Sequence, residues 1–143
     1  MKTKQISVFI ENQSGRLYEV MRLLGDSGIN IRALSLADTS DFGIIRLIVN
    51  NPDRAYKALK DKDFTVGINE VVAIAIPDKP GGLADVLETL CRQDFNVEYM
   101  YAFVNSPDSN AVMIFRFDDS DAALKVLRDA GITVLKEETL LNM

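Results

Sequence analysis

Residues 6–31 read ISVFIENQSGRLYEVMRLLGDSGINI, and residues 72–97 read VAIAIPDKPGGLADVLETLCRQDFNV. Each stretch contains an apolar run with strand periodicity, a polar turn with a glycine, an amphipathic helix and an asparagine that enters a new apolar run. A register shared across several elements predicts a duplicated module. Setting Gly15 on Gly81 also aligns Ile10 with Ile76, Leu17 with Leu83, Val20 with Val86, Leu24 with Leu90 and Asn30 with Asn96.

The rest of the first copy predicts a hairpin, a second helix and a fourth strand. Residues 31–37 and 43–49 are apolar runs separated by a short polar turn, which is typical of an antiparallel hairpin. Asn51 and Pro52 then have the composition of a helix start, with Asn as the cap and Pro in the first turn. We expect the fourth strand to begin at Phe64.

The second copy repeats this order, with a longer hairpin loop at 105–110 and with Gly131 closing its second helix. Each copy therefore has the predicted order β-α-β-β-α-β. Right-handed crossovers convert that order into a four-stranded antiparallel sheet with both helices on one face, the ferredoxin-like plan of the α+β class. We expect two modules, residues 1–70 and 71–143, joined without a low-complexity linker.

Composition and charge disfavour several classes of partner. The 143 residues are 48% hydrophobic, and 21 acidic against 16 basic residues give a net charge of −5. A surface of this sign repels phosphate backbones and anionic lipids, so we expect neither a nucleic-acid nor a membrane partner. No apolar run is long enough for a signal peptide or a membrane span, and we expect a cytoplasmic protein.

The sequence also argues against catalysis. It contains no histidine, which removes the commonest general base, the usual metal ligand and every Ser–His triad. It shows neither a glycine-rich phosphate loop nor carboxylates at metal-ligand spacing, so we expect no enzyme activity, cofactor or metal. Cys91 is the only cysteine, which excludes an internal disulfide, and its position beside Leu90 predicts a small buried side chain.

The glycine turn before the first helix of each module favours binding of an α-amino acid. The first N–H groups of a helix lack partners and carry partial positive charge, so a carboxylate fits there, and glycine lets it approach the backbone. The neighbouring side chains suit a zwitterion: positive charge from Arg16 and Lys79, acceptors for an ammonium group on Asn12 and Asp78, and amides on Asn30 and Asn96.

Structural explanations compete with this reading. A glycine at a strand–helix turn is often required by the backbone alone, and Asn30 could simply satisfy local backbone groups. The middle strands, residues 31–37 and 43–49, are apolar at both alternating sets of positions. That pattern indicates that a second sheet face or edge is covered by the sister module or by another chain, and we expect a homodimer.

The residues that carry these features resemble a tandem pair of ACT domains over essentially the whole chain. The segments are ENQSGRL at 11–17 and PDKPGGL at 77–83 between strand and helix, and GINI at 28–31 and FNV at 95–97 entering the next strand. The resemblance implies small-molecule regulatory modules that usually bind amino acids. Such modules occur on biosynthetic enzymes such as phosphoglycerate dehydrogenase and aspartate kinase, and as free-standing proteins. No catalytic domain accompanies the modules in this sequence.

The resemblance implies ligand contacts from the glycine turn, the strand-entry asparagine and the end of the second strand. The predicted ligand-binding residues of the first module are Asn12, Gln13, Ser14, Gly15, Arg16, Leu17, Asn30, Ile31, Ala37, Asp38 and Thr39. The second module has an Asp where the first has the turn Asn, so its site is a secondary prediction. That site comprises Asp78, Lys79, Gly81, Gly82, Leu83, Asn96 and Val97.

The leading functional hypothesis is a non-catalytic amino-acid sensor that acts through module or subunit interfaces. The alternative is a structural adaptor that pairs with a metabolic enzyme without binding a metabolite. RNA-binding domains share this strand order, but the acidic balance and the lack of aromatic residues in GIIRLIV at 43–49 argue against that class.

Overall fold

A computed structural model describes residues 1–38, 40–103 and 110–142, with Asp38 described by its backbone alone. The chain divides into two compact units. The first, here called the first module, is Lys4–Asn69, and the second module comprises Glu70–Met143 together with Met1–Thr3. Lys2 joins the second module because its ammonium group lies 3.0 Å from Asp121 and 3.9 Å from Glu70. The hydrogen bond to Asp121 and the two negative charges raise the pKa of Lys2.

The first module contains a four-stranded sheet and two helices. Its sheet has the strand order β2-β3-β1-β4, and β3 pairs antiparallel with both β1 and β2. The elements are β1 (Thr3–Glu11), α1 (Arg16–Asp26), β2 (Ile31–Asp38), β3 (Phe42–Val49), α2 (Pro52–Asp61) and the first residues of β4 (Thr65–Pro77).

The second module repeats this plan, with the order β5-β6-β4-β7 and antiparallel pairing throughout. The predicted β-α-β-β-α-β fold is therefore confirmed in both modules. After β4 come α3 (Gly82–Cys91), β5 (Val97–Ala102), β6 (Asn110–Phe117), α4 (Ser120–Asp129), β7 (Val134–Leu135) and α5 (Glu137–Leu141). The sequence did not predict α5, nor that β4 runs unbroken from Thr65 to Pro77.

The core of each module lies between one sheet face and its two helices. In the first module, β1 and β3 contribute alternating side chains that are paired in register, such as Ile6 with Leu47 and Val8 with Ile45. The helices add Val20, Leu24, Ala55 and Leu59 at helical spacing. The second core has the same construction and is built on Val72, Ile74, Ile76, Val86, Leu90, Phe115, Phe117, Ala123, Leu124 and Leu127.

Three backbone positions adopt a left-handed conformation in both modules. They are the turn glycines Gly15 and Gly81 (φ 90° and 84°), the residues after the first helices, Gly28 and Asp94 (73° and 59°), and those after the second helices, Asp63 and Gly131 (64° and 74°). Aspartate tolerates this conformation better than most residues. Both modules therefore keep the left-handed backbone conformation at these positions, including the two where only one module has glycine.

One expectation about burial remains a prediction and one needs correction. Leu34 and Leu36 face the helix side of the sheet, because they pair with Leu47 and Ile45, but they lie on the edge strand β2 and are 43% and 51% exposed. Covering of this edge by another chain therefore stays a prediction. Cys91 is exposed rather than buried, because it lies one residue beyond the buried stripe of α3 that ends at Leu90.

Candidate functional site

The first helix of each module begins at a glycine turn that leaves its N–H groups without a side-chain cap. Gly15 precedes α1 and Gly81 precedes α3, and neither helix start receives a side-chain hydrogen bond. The second helices differ. The Asn51 side chain accepts from the N–H of Arg54 at 3.2 Å, and the Asp119 side chain accepts from the N–H of Ala122 at 3.1 Å. Among the four long helices α1 to α4, the two starts predicted to bind ligand are therefore the ones without a side-chain cap.

In the first module the glycine turn is tied to the β2–β3 hairpin. The backbone N–H of Asn12 donates to the carbonyl of Asp41 at 2.8 Å, and its side-chain amide donates to the carbonyl of Ser40 at 3.3 Å. These bonds place the turn at the end of the sheet where β2 finishes with Ala37 and Asp38. The structure therefore brings together two of the predicted groups, the turn and the end of β2.

The predicted strand-entry residues Asn30 and Ile31 lie at the opposite end of α1. That helix has 11 residues, and a rise of about 1.5 Å per residue makes it roughly 16 Å long. The N–H of Asn30 donates to the Asn50 side chain at 3.0 Å, and the N–H of Asn50 donates to the Asn30 carbonyl at 3.1 Å. The expectation that Gly15 and Asn30 form one constellation is therefore wrong within a single module.

The same separation holds in the second module. The N–H of Asn96 donates to the Asp118 carboxylate at 3.4 Å, and the N–H of Asp118 donates to the carbonyl of Asn96 at 3.3 Å. Asn96 and Val97 line a shallow pocket beside Cys91, at the end of α3 remote from Gly81. In both repeats these bonds use the backbone of the asparagine, so they assign no role to its side-chain amide.

Arg16 has partners inside its own module. Its guanidinium group lies 2.8 Å from the Glu19 carboxylate and 3.9 Å from that of Glu11, and it stacks over the Phe64 ring at 5.2 Å from the centroid. Two carboxylates thus balance its charge. The predicted contribution of Arg16 to a ligand carboxylate competes with these contacts.

The second module has an open cleft beside the start of α3, with a volume of about 330 Å³. Of the predicted residues, Lys79 and Gly82 line it. The remaining walls come from residues that the sequence reasoning missed: Asp85 and Thr89 on α3, and Gly131, Ile132 and Thr133 in the loop before β7. The sequence did contain one signal for this cleft. Where the first repeat has Arg16, the second has Gly82, so a long side chain is absent from that position.

Gly82 also has a packing role. A Cβ atom built at this position would overlap the carbonyl oxygen of Pro77. The start of α3 therefore packs against the end of β4 so closely that only glycine fits. No such crowding occurs at Gly15 or Gly81, where a Cβ would meet nothing within 4 Å and the positive φ alone favours glycine.

The other predicted residues are placed as follows. Gln13, Ser14 and Leu17 are exposed around the first turn, and Asp78 is exposed before the second, where Leu83 is half-buried. Thr39 and the side chain of Asp38 lie outside the described residues, as do Val104 and most of the predicted loop at 105–110.

Across residues 1–38, 40–103 and 110–142, no group of three or more His, Cys, Asp or Glu side chains is arranged to hold a metal ion. Within the same described ranges, no helix combines the length and apolar character needed to cross a bilayer.

Comparison with known proteins identifies the family. The model of the ACT domain pair matches residues 1–143. The crystal structure of protein BT0572 from Bacteroides thetaiotaomicron is 43% identical and has a TM-score of 0.93, covering 100% of this chain and 98% of that one.

Two more distant structures share the fold. The ligand-free regulatory subunit of aspartate kinase from Thermus thermophilus is 16% identical with a TM-score of 0.64, covering 89% of this chain and 91% of that chain. The corresponding subunit from Thermus flavus is also 16% identical, with a TM-score of 0.60 and coverages of 91% and 93%. A comparison with curated proteins found no match. From the match over its full length, the chain belongs to the ACT domain pair family.

Proposed function

We propose that this protein is a non-catalytic cytoplasmic regulator that binds an amino acid and transmits the binding through module or subunit interfaces. The observation that carries the proposal is the pair of uncapped helix starts at Gly15 and Gly81, in a chain whose other two long helices are capped by side chains. We take residues 1–70 and 71–143 as the two binding modules.

The chemistry of these helix starts suits a carboxylate. Free N–H groups and the positive end of the helix dipole attract an anion, and the left-handed glycine keeps a side chain from covering them. In the first module, the nearby Asn12 and the exposed end of β2 at Ala37 complete the candidate site. The absence of histidine from the sequence supports a binding role rather than catalysis.

Association is part of the proposal. The first module exposes large apolar side chains, including Leu34 and Leu36 on its edge strand β2. An edge strand can pair antiparallel with its own copy about a twofold axis, so these residues support a homodimer. The Thermus proteins that share the fold are regulatory subunits of aspartate kinase. By analogy, a metabolic enzyme is the proposed partner of this chain.

Isothermal titration calorimetry of the full chain against the twenty amino acids tests the binding. We expect saturable binding of at least one of them. Gly15→Ala should weaken it, because a Cβ at the turn crowds an approaching carboxylate and strains the left-handed backbone.

Gly28→Ala is the matched control. Gly28 also has positive φ and open space around it, but it lies at the other end of α1. Both variants should lose similar stability, while only Gly15→Ala should lose affinity. The proposal fails if no amino acid binds at millimolar concentration, and the first-module site fails if the two variants bind equally well.

The exposed apolar side chains of the first module also favour a second candidate, an adaptor that pairs with a metabolic enzyme without a metabolite. In that case Leu36→Lys would abolish co-purification of the enzyme, Gly15→Ala would leave it intact, and calorimetry would detect no amino acid.

A further inference from the structure

One groove holds a side-chain cation in the first module and lacks it in the second. It runs between the first helix of the module and the loop before its last strand. In the first module Arg16 lines this groove, 2.8 Å from Glu19 and stacked over Phe64, and a cleft of about 430 Å³ remains beside these three residues. The Nε atom of Arg16 is sealed from solvent without a hydrogen-bond partner, although the side chain as a whole is 31% exposed.

The aligned repeats place Gly82, Asp85 and Ile132 at the positions of Arg16, Glu19 and Phe64. All three line the cleft of about 330 Å³ beside α3. The carboxylate and the apolar wall are thus retained, while the cation between them is missing. Asp85 forms no ion pair in the part of the chain that the structure describes.

We propose that this cleft binds the positively charged nitrogen group of a small ligand, which pairs with Asp85 and takes the place that Arg16 fills in the first module. The first module thereby shows, within the same chain, how a cation is held in this groove. The inference deepens the proposed function and rests on it for the premise that the protein binds a small molecule.

The rest of the cleft narrows the ligand class. Its volume is within the range of about 300–1,000 Å³ that is usual for small-molecule pockets. Ala75, Val86 and Ile132 supply apolar surface, and Lys79 supplies a second charge. Lys79 also forms no ion pair within the described ranges, so it is free to receive a carboxylate. A ligand that places its cationic nitrogen at Asp85 and its carboxylate at Lys79 is a zwitterionic amino acid, which we expect to bind better than a simple amine. A simple amine should in turn bind better than a simple acid.

Nuclear magnetic resonance titration of the ¹⁵N-labelled full chain tests the inference. The probes are the twenty amino acids, butylamine as a cation without a carboxylate, and pentanoate as an anion without an amine. We expect butylamine and at least one amino acid to shift the amide signals of Gly82 and Gly131, which line the cleft. Pentanoate lacks a group that can pair with Asp85, so it should shift both signals less than butylamine does.

Two variants locate the contact. Asp85→Asn keeps the shape but removes the charge, and it should raise the Kd about tenfold or more, as expected for a lost charge-assisted hydrogen bond. Thr89→Arg places a guanidinium group one helical turn from Asp85, at ion-pair spacing, and should abolish binding by filling the cleft. Glu19→Gln, the equivalent change in the first module, should leave the Kd unchanged.

The inference is overturned if Asp85→Asn binds like the unaltered chain, or if pentanoate shifts Gly82 and Gly131 as strongly as butylamine. Its failure is distinguishable from failure of the proposed function. If calorimetry detects binding of an amino acid but the signals of Gly82 and Gly131 do not shift, only the cleft inference is wrong. If butylamine shifts these signals but no amino acid binds to the protein, the proposed amino-acid regulator is wrong and the cleft inference is supported.

Discussion

The two modules share a backbone but present different surfaces. Their first helices begin at the same left-handed glycine, at φ 90° for Gly15 and 84° for Gly81. At the next position the first module has Arg16, which lines the groove beside its helix and pairs there with Glu19, whereas the second has Gly82, which brings no side chain into the groove. The difference at this one position leaves the second groove without the cation that the first one contains.

The second difference concerns apolar exposure. Among the described residues, the large hydrophobic side chains that are exposed lie in the first module, apart from Met1. In the second module, Leu34 corresponds to Met100, which is half-buried, and Leu36 corresponds to Ala102, which has a small side chain. The first module thus carries the features of a contact surface, and the second those of a ligand cleft. The comparison separates two roles that the repeated sequence pattern would assign equally to both modules.

The largest expected effect tests the contact surface. Leu34→Lys combined with Leu36→Lys should convert the proposed homodimer into a monomer. Full burial of an exposed leucine contributes about 1.5–3 kcal/mol, and these leucines are already about half-buried, so the four leucines of a symmetric dimer would contribute roughly 3–6 kcal/mol. Light scattering during gel filtration measures the change in mass.

The matched control places the same charges on the second module, as Met100→Lys with Ala102→Lys. That double variant should keep the mass of the unaltered protein. A monomeric unaltered protein, or an equal loss of mass in both double variants, would contradict the assignment of the dimer surface to the first module.

A smaller effect tests the tight start of α3. Gly82→Ala should lower the free energy of unfolding by about 1–3 kcal/mol, because its Cβ would overlap the Pro77 carbonyl oxygen and force the helix from the strand. Urea denaturation measures the change. The control is Gly25→Ala, a helical glycine with open space, which should stabilise the protein by up to about 1 kcal/mol. Changes of the same sign in both variants would show that Gly82 is not sterically required.

The smallest expected effect tests the groove of the first module. Arg16→Ala should cost about 1 kcal/mol or less, since it removes a partly exposed ion pair and a cation–π contact. It should also leave Glu19 without its cation, so that butylamine newly shifts the amide signals of Glu19 and Phe64. Thermal unfolding and magnetic resonance titration measure the two effects.

Arg22→Ala serves as the control, because Arg22 also pairs with a carboxylate and stacks on an aromatic ring but is 61% exposed. It should have a similar cost without creating any new binding. If butylamine does not bind to the Arg16→Ala variant either, the groove of the first module is not equivalent to the cleft of the second.

Much of the fold could be predicted because it depends on local periodicity. The repeated positions Ile10, Gly15, Leu17 and Val20 predict a strand, a turn and a helix from the sequence alone. The helix cap at Asn51 and the closing glycine at Gly131 followed from local backbone chemistry in the same way.

The candidate site was less predictable, because it depends on which ends of the elements meet. Asn30 follows Gly15 closely in the repeat pattern, yet the length of α1 separates them. Asp85 lies in the first turn of α3, and its position on a cleft follows from the missing side chain at Gly82 and from the loop before β7. The exposure of Cys91 likewise depends on the rotation of α3 about its axis.

The sequence by itself determined the duplicated β-α-β-β-α-β order, the two glycine turns and the acidic, histidine-free composition, because alternation, turn chemistry and charge are properties of neighbouring residues. Only the tertiary structure decided that Arg16 pairs with Glu19 in its groove while Asp85 has no such cation beside Gly82, and that Leu34 and Leu36 remain exposed on an edge strand. Those outcomes depend on packing between residues distant in the chain, which fixes the space that each side chain can occupy.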